Sequence, residues 1–195
     1  MTHRSFQLVS DATKSGRSGG FVAARRAVRR GLAAALVAGA LLASEAHAAT
    51  VAPAAHVQRA VTPEADASLE YGLMNAINGQ REAYGLAPLA MDPTLVEIAR
   101  VRSDDLANRQ YFSHVAPDGT TAFSLLADYG VPYYFAGENL ARNNAPGASS
   151  IDYAINGFMN SPSHRANVLG AFTYIGIGAT TDWNGFTYFA VVFTS

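Results

Sequence analysis

Three side chains in this sequence combine a group suited to chemistry near neutral pH with an informative local setting: His114, Glu138 and His164. A neutral imidazole offers a nitrogen lone pair, and a carboxylate offers two acceptor oxygens. Two imidazoles and one carboxylate are enough for a zinc ion that keeps one coordination position open. They would serve equally as a hydrogen-bonded polar cluster without metal. His114 and Glu138 are 24 positions apart and Glu138 and His164 are 26 apart, so only folding can gather them.

Each candidate has an informative local setting. His164 lies in Ser161-Pro162-Ser163-His164-Arg165-Ala166-Asn167-Val168-Leu169. A serine N-cap with proline at the first helical position makes His164 the third helical residue, near the positive end of the dipole. That end disfavours the imidazolium, so His164 is expected to stay neutral. His114 follows a helix in Tyr111-Phe112-Ser113-His114, just before the turn Pro117-Asp118-Gly119. Glu138 stands between Gly137 and an apolar strand start, where a carboxylate is either paired to an arginine or aimed at a cleft.

Composition limits the chemistry further. With 195 residues the chain has room for one domain of ordinary size, and with no cysteine it has no disulfide, thiolate metal site or thiol nucleophile. Charge is unevenly spread. Residues 1–48 carry Lys14 and six arginines against Asp11 and Glu45, a net +5, whereas the remainder has seven arginines against thirteen acids, a net −6. So acidic a body is a poor partner for nucleic acid.

Residues 1–48 read as an export signal. Arg25, Arg26, Arg29 and Arg30 precede the uncharged run Gly31 to Ser44, too short for the roughly 20 apolar residues that span a bilayer. Ala46-His47-Ala48 then supplies a small-x-small cleavage pattern. Residues 49–68, rich in Ala, Val, Pro and Thr, show no period and read as a linker. Residues 69–195 carry the fold.

Within them, Leu69, Leu73, Met74, Ile77 and Tyr84 predict a helix stopped by Gly85. Asp92-Pro93 opens a second, to about Gln110, with Leu95, Ile98, Ala99 and Leu106 as its stripe and Arg100 pairing with Asp104 on its wet side. Thr121 caps a short third helix, Ala122 to Tyr129, and Ser149 or Ser150 caps a fourth that Pro162 ends. Tyr174 to Thr181 alternates Ile175 and Ile177 with Gly176 and Gly178, glycines that imply close approach by another backbone. Asn184-Gly185 predicts a type I′ turn. The returning strand, Phe186 to Phe193, is apolar on both faces and must be covered on both. A third strand is expected around Asn139 to Arg142. The class is α/β, an α–β–α sandwich with a small antiparallel sheet between helical layers.

Taken together, Leu73-Met74-Asn75-Ala76-Ile77-Asn78 with Arg81, Gly85-Leu86 and Pro88-Leu89, then Phe112-Ser113-His114, Gly137-Glu138-Asn139-Leu140-Ala141, Ser161 to Leu169 and Ile175-Gly176-Ile177-Gly178 resemble the CAP superfamily. These are the cysteine-rich secretory, antigen 5 and pathogenesis-related 1 proteins, here in their bacterial disulfide-free branch. The resemblance spans essentially all of 69–195. It implies the same sandwich and a cleft centred on two histidines and two acids that often holds a divalent ion, with His114, Glu138 and His164 in that centre. The second acid has no match, since Ser161 stands where the resemblance leads one to look for a glutamate, and Asp118 is the nearest substitute.

Three functions are compatible with this reading. The first is a secreted binding module, its cleft rimmed by Tyr133, Tyr134 and Phe135, holding a lipid, sterol or cell-envelope fragment around a divalent metal such as zinc. The second is a metal-dependent hydrolase of peptide or ester bonds with Glu138 as ligand or base. The third is a non-catalytic structural envelope protein. Binding is favoured over catalysis, and the expected molecule is a monomer, secreted or held in the cell envelope, touching membrane only through its uncleaved signal segment.

Overall fold

The stripe of Leu69, Leu73 and Ile77 winds into α1 (Pro63–Ala83). In this computed structural model the described residues are 6–14 and 63–195, all within one compact unit. The apolar leader run lies outside them, as do residues 49–62 of the expected linker, while residues 63–68 of that linker belong to α1. After α1 come β2 (Ala90–Met91), α2 (Pro93–Asn108), α3 (Ala122–Asp128), β3 (Phe135–Asn143), α4 (Ala148–Asn160), α5 (Pro162–Val168), β4 (Tyr174–Thr181) and β5 (Thr187–Thr194). A further strand, β1 (Phe6–Lys14), precedes them all inside the segment read as leader, where the sequence reading placed no strand.

The five strands among the described residues lie in the order β1-β3-β5-β4-β2. β1 pairs with β3, β3 with β5 and β5 with β4, all antiparallel, and the two-residue β2 joins β4 in parallel. Alternation along β4 and β5 feeds two cores. Ile175, Ile177, Phe189, Val191 and Phe193 meet α1, α4 and α5 on one face, through Leu73, Ile77, Phe158 and Val168. Val192, Ala190 and Tyr188 meet α2 on the other, through Leu95, Ile98, Ala99 and Leu106, and α3 joins that side through Ala122 and Leu126. The doubly apolar strand is therefore covered twice, and the molecule is the expected α–β–α sandwich.

Gly176 and Gly178 explain how closely α2 lies on the sheet. A Cβ at Gly176 would collide with the backbone of Leu95, and one at Gly178 with that of Ala99. Asp92 caps α2 as expected, its Oδ1 accepting from the amides of Thr94 and Leu95 at 2.8 and 3.0 Å. Thr121 and Ser124 form a reciprocal capping box on α3.

Three local expectations are corrected. Neither serine caps α4: its N-cap is Gly147, and Ser150 lies buried in the first turn. Arg100 reaches across to Glu70 of α1, a buried carboxylate, while Asp104 accepts from Thr180 Oγ1. The β4–β5 turn is a three-residue loop rather than type I′: Asp182 and Phe186 pair, Gly185 alone takes positive φ (81°), and Asp182 Oδ1 accepts from the amides of Asn184 and Phe186. The Asp182 side chain thus shapes a turn that the Asn-Gly pair alone would have closed one residue tighter.

Candidate functional site

Glu138 stands on the α2 side of β3 beneath Arg102, and both side chains are 1% exposed. Arg102 occupies the helical stripe between Ile98 and Leu106, so α2 drives its guanidinium into the interior. There every arm is used. Nε donates to Glu138 Oε1 at 2.9 Å, Nη1 to the Tyr111 hydroxyl at 2.9 Å, and Nη2 to the carbonyls of Ser113 and His114 at 3.1 and 3.0 Å. Burial pulls the Arg102 pKa down, but the charge and hydrogen bond of Glu138, with Tyr111, outweigh it and leave the pKa above the ordinary arginine value. One arginine therefore fixes both the carboxylate and the backbone of the loop that carries His114.

The second oxygen of Glu138 meets His114 Nδ1 at 2.6 Å. A carboxylate oxygen accepts here, so Nδ1 carries a proton in this contact and Nε2 is the ring nitrogen left to meet another group. Nε2 is buried and has no hydrogen-bond partner among the described residues. Tyr111 extends the chain of bonds, donating to Asp105 Oδ2 at 2.5 Å, and burial followed by that bond pushes its phenol up to about 12.

His164 belongs to the opposite face of β3. It is buried, stacks on Phe158 with ring centroids 5.6 Å apart, and places Nδ1 2.7 Å from Ser161 Oγ. Ser161 has the extended backbone of an N-cap yet makes no side-chain cap bond, its hydroxyl serving the imidazole instead. Asn139 Nδ2 donates to the His164 carbonyl at 3.0 Å, and Asn167 Nδ2 to Asn139 Oδ1 at 2.8 Å. Arg81 anchors the other end of α5 through the carbonyls of Val168 and Gly170.

The structure thus joins His114 to Glu138, while the contacts described for His164 are with Ser161, Phe158 and Asn139. Asp118 is exposed at its turn, bonded to the Thr120 amide and to Arg109 at 2.6 Å, contacts that hold its carboxyl well below the usual range. Of the expected aromatic rim, Tyr133 packs into the core beside Ala136, whereas Tyr134 and Phe135 are exposed. Among the described residues no group of three or more His, Asp or Glu side chains is arranged to hold a metal ion. The donor chemistry gives the reason: both oxygens of Glu138 are taken by Arg102 and His114, so the three-ligand zinc set does not fit. Arg102 was missed from sequence, although an arginine at an apolar-stripe position was a visible signal.

A family model described as the cysteine-rich secretory protein family, CAP, matches residues 74–193. The protein YkwD of Bacillus subtilis is 34% identical over 140 residues, 70% of this chain and 53% of that protein. The membrane protein YlbC of Bacillus subtilis is 33% identical over 110 residues, 56% of this chain and 31% of that one. This chain therefore spans about half of one relative and about a third of the other. An extracellular SCP-domain protein from Bacillus anthracis superposes with TM-score 0.57 at 27% identity, over 69% of this chain and 44% of that chain. An outer surface protein of Borrelia burgdorferi shares the fold with TM-score 0.57 at 23% identity, over 63% of this chain and 89% of that chain.

Proposed function

The chain belongs to the CAP family, the cysteine-rich secretory proteins, and from that premise we propose that it is an exported binding module whose ligand meets His114. One observation carries the reading. His114 Nε2 is a buried ring nitrogen without a hydrogen-bond partner among the described residues, on a ring whose other nitrogen is fixed by Glu138. Leaving such a buried polar nitrogen unsatisfied costs about 1–3 kcal/mol, which a hydroxyl or amide of a bound molecule would recover. A lipid, sterol or cell-envelope fragment bearing such a donor fits that role, and exposed Tyr134 and Phe135 at the start of β3 offer apolar surface nearby in the chain. Likeness to an extracellular protein and the leader-like first 48 residues support export. No helix among the described residues is long and apolar enough to cross a membrane.

The test is organic extraction of the protein after expression with envelope lipids, followed by mass spectrometry. Wild type is expected to yield a stoichiometric ligand, and His114→Ala, with unchanged circular dichroism, to yield none; identical extracts from the two would refute the proposal. Elemental analysis is expected to find well below one zinc per chain, because Glu138 is already engaged. Stoichiometric zinc that disappears in His114→Ala would overturn that.

The carboxylate-to-imidazole bond also favours a second reading, hydrolysis with His114 as an oriented general base. Turnover of an ester or peptide probe that Glu138→Gln abolishes in a folded protein would support it.

A further inference from the structure

Most arginines of the described sandwich are saturated. Arg100 and Arg102 pair with Glu70 and Glu138, Arg109 with Asp105 and Asp118, and Arg81 with three carbonyls. Arg142 differs. It stands on β3 directly opposite Tyr188 of β5, on the same strand face as Glu138 and about 13 Å farther along. Its guanidinium carbon lies 5.0 Å from the Phe186 ring centroid, 5.5 Å from that of Tyr188 and 5.7 Å from that of Phe112. Among the described residues Nε is buried with no hydrogen-bond partner, and Nη1 has only a long 3.4 Å contact to the Tyr188 hydroxyl. Among the described residues no carboxylate pairs with it.

The nearest acid along this network is Asp182, two steps away through Tyr188, and its oxygens are occupied. Oδ1 accepts from the amides of Asn184 and Phe186, and Oδ2 from Gln110 and the Tyr188 hydroxyl. Asp182 therefore builds the turn rather than neutralising Arg142. Ring faces attract the guanidinium but give its N–H groups little to bond to, so the collar orients a cation that the described residues leave without a counter-ion. The missing partner is a compact group with acceptor oxygens in one plane, matched to the guanidinium fork.

We propose that Arg142, held by Phe112, Phe186 and Tyr188, is an oxyanion subsite that takes the carboxylate or phosphate group of a ligand. It stands independently of the His114 reading, since neither its geometry nor its test involves that imidazole.

The experiment uses the full chain with 15N-labelled arginine and follows the Arg142 Nε–Hε resonance, and the fluorescence of the single tryptophan, Trp183, which is borne on the same β4–β5 turn. Titration with sodium phosphate and sodium acetate is expected to give a saturable shift that sodium chloride at equal ionic strength does not. Arg142→Met should weaken the fluorescence titration at least ten-fold. Arg142→Lys, which keeps the charge and loses the fork, should weaken it several-fold and covers the case in which the methionine variant does not fold. Sedimentation with phosphatidylglycerol vesicles against phosphatidylcholine vesicles separates the sources: selective binding to the former, lost in Arg142→Lys, assigns the anion to a lipid headgroup, and a response to free phosphate alone assigns it to a solute. No saturation by any of these anions, an equal response to chloride, or an unchanged titration in Arg142→Lys would reduce the cluster to packing and overturn the proposal.

Discussion

Arg102 ties together groups that sequence leaves far apart: a strand carboxylate, a loop tyrosine and two loop carbonyls. Because the pair with Glu138 is almost fully buried, removing one partner strands the other charge away from water. Arg102→Met is expected to lower unfolding free energy by about 3–5 kcal/mol in urea denaturation, and the double variant with Glu138→Gln to recover part of the loss. At this scale the sequence was partly readable. The setting of Glu138, between a glycine and an apolar strand, already required an arginine or a cleft, and it found the arginine. Which arginine could not be told from spacing, because the two lie 36 residues apart and meet only when α2 crosses β3. The Asp118 alternative fails for a local reason: Arg109 and the Thr120 amide compete for its oxygens at the turn itself. Ser161 illustrates the reverse, a cap residue by backbone whose hydroxyl is drawn away by the imidazole three positions on.

Elements with strong periodicity were the readable ones. β4 has the expected limits, and α2 and α3 lie within about two residues of theirs, since their stripes and caps agree. β2 was not readable, as two residues carry no period, and it exists because the Asp92 amide and Ala90 amide bond the edge of β4. The Arg100–Asp104 expectation failed because an i,i+4 pair is weak beside a buried carboxylate such as Glu70 that needs a cation. The glycine pair was the most informative signal in the sheet. Placing a methyl at Gly176 pushes directly on main-chain atoms of α2, which cannot rotate aside as a side chain can. Gly176→Ala should cost about 1–3 kcal/mol or more by denaturant midpoint, while alanine at exposed Gly79, which meets nothing, should leave stability unchanged or raised.

Across the whole molecule, bonds run without interruption from Asp105 through Tyr111, Arg102 and Glu138 to His114, linking the end of α2 to the α2–α3 loop and to β3. This chain includes a phenol that burial keeps protonated to about pH 12 in the folded state, against about 10 in the unfolded one. A raised folded value means that its contribution to stability is complete below about pH 10 and is lost as pH climbs toward 12. Tyr188, raised by burial as well, acts in the same direction. Denaturation followed from pH 9 to 12 is expected to show falling stability, and Tyr111→Phe to make that fall shallower without removing it; an unchanged slope would assign the decline elsewhere.

One flank of the sheet has a consequence of its own. Along nine register positions, Phe6 to Lys14 saturate the outer border of β3, the strand that also bears Glu138 and Arg142. A cut after Ala48 would carry those residues off and leave a row of amides and carbonyls facing water, the kind of border that recruits another extended polypeptide. Precursor and trimmed product would then differ in how readily they adhere to neighbours, although every helix and every side chain of the sandwich beyond the cut had the same sequence in both.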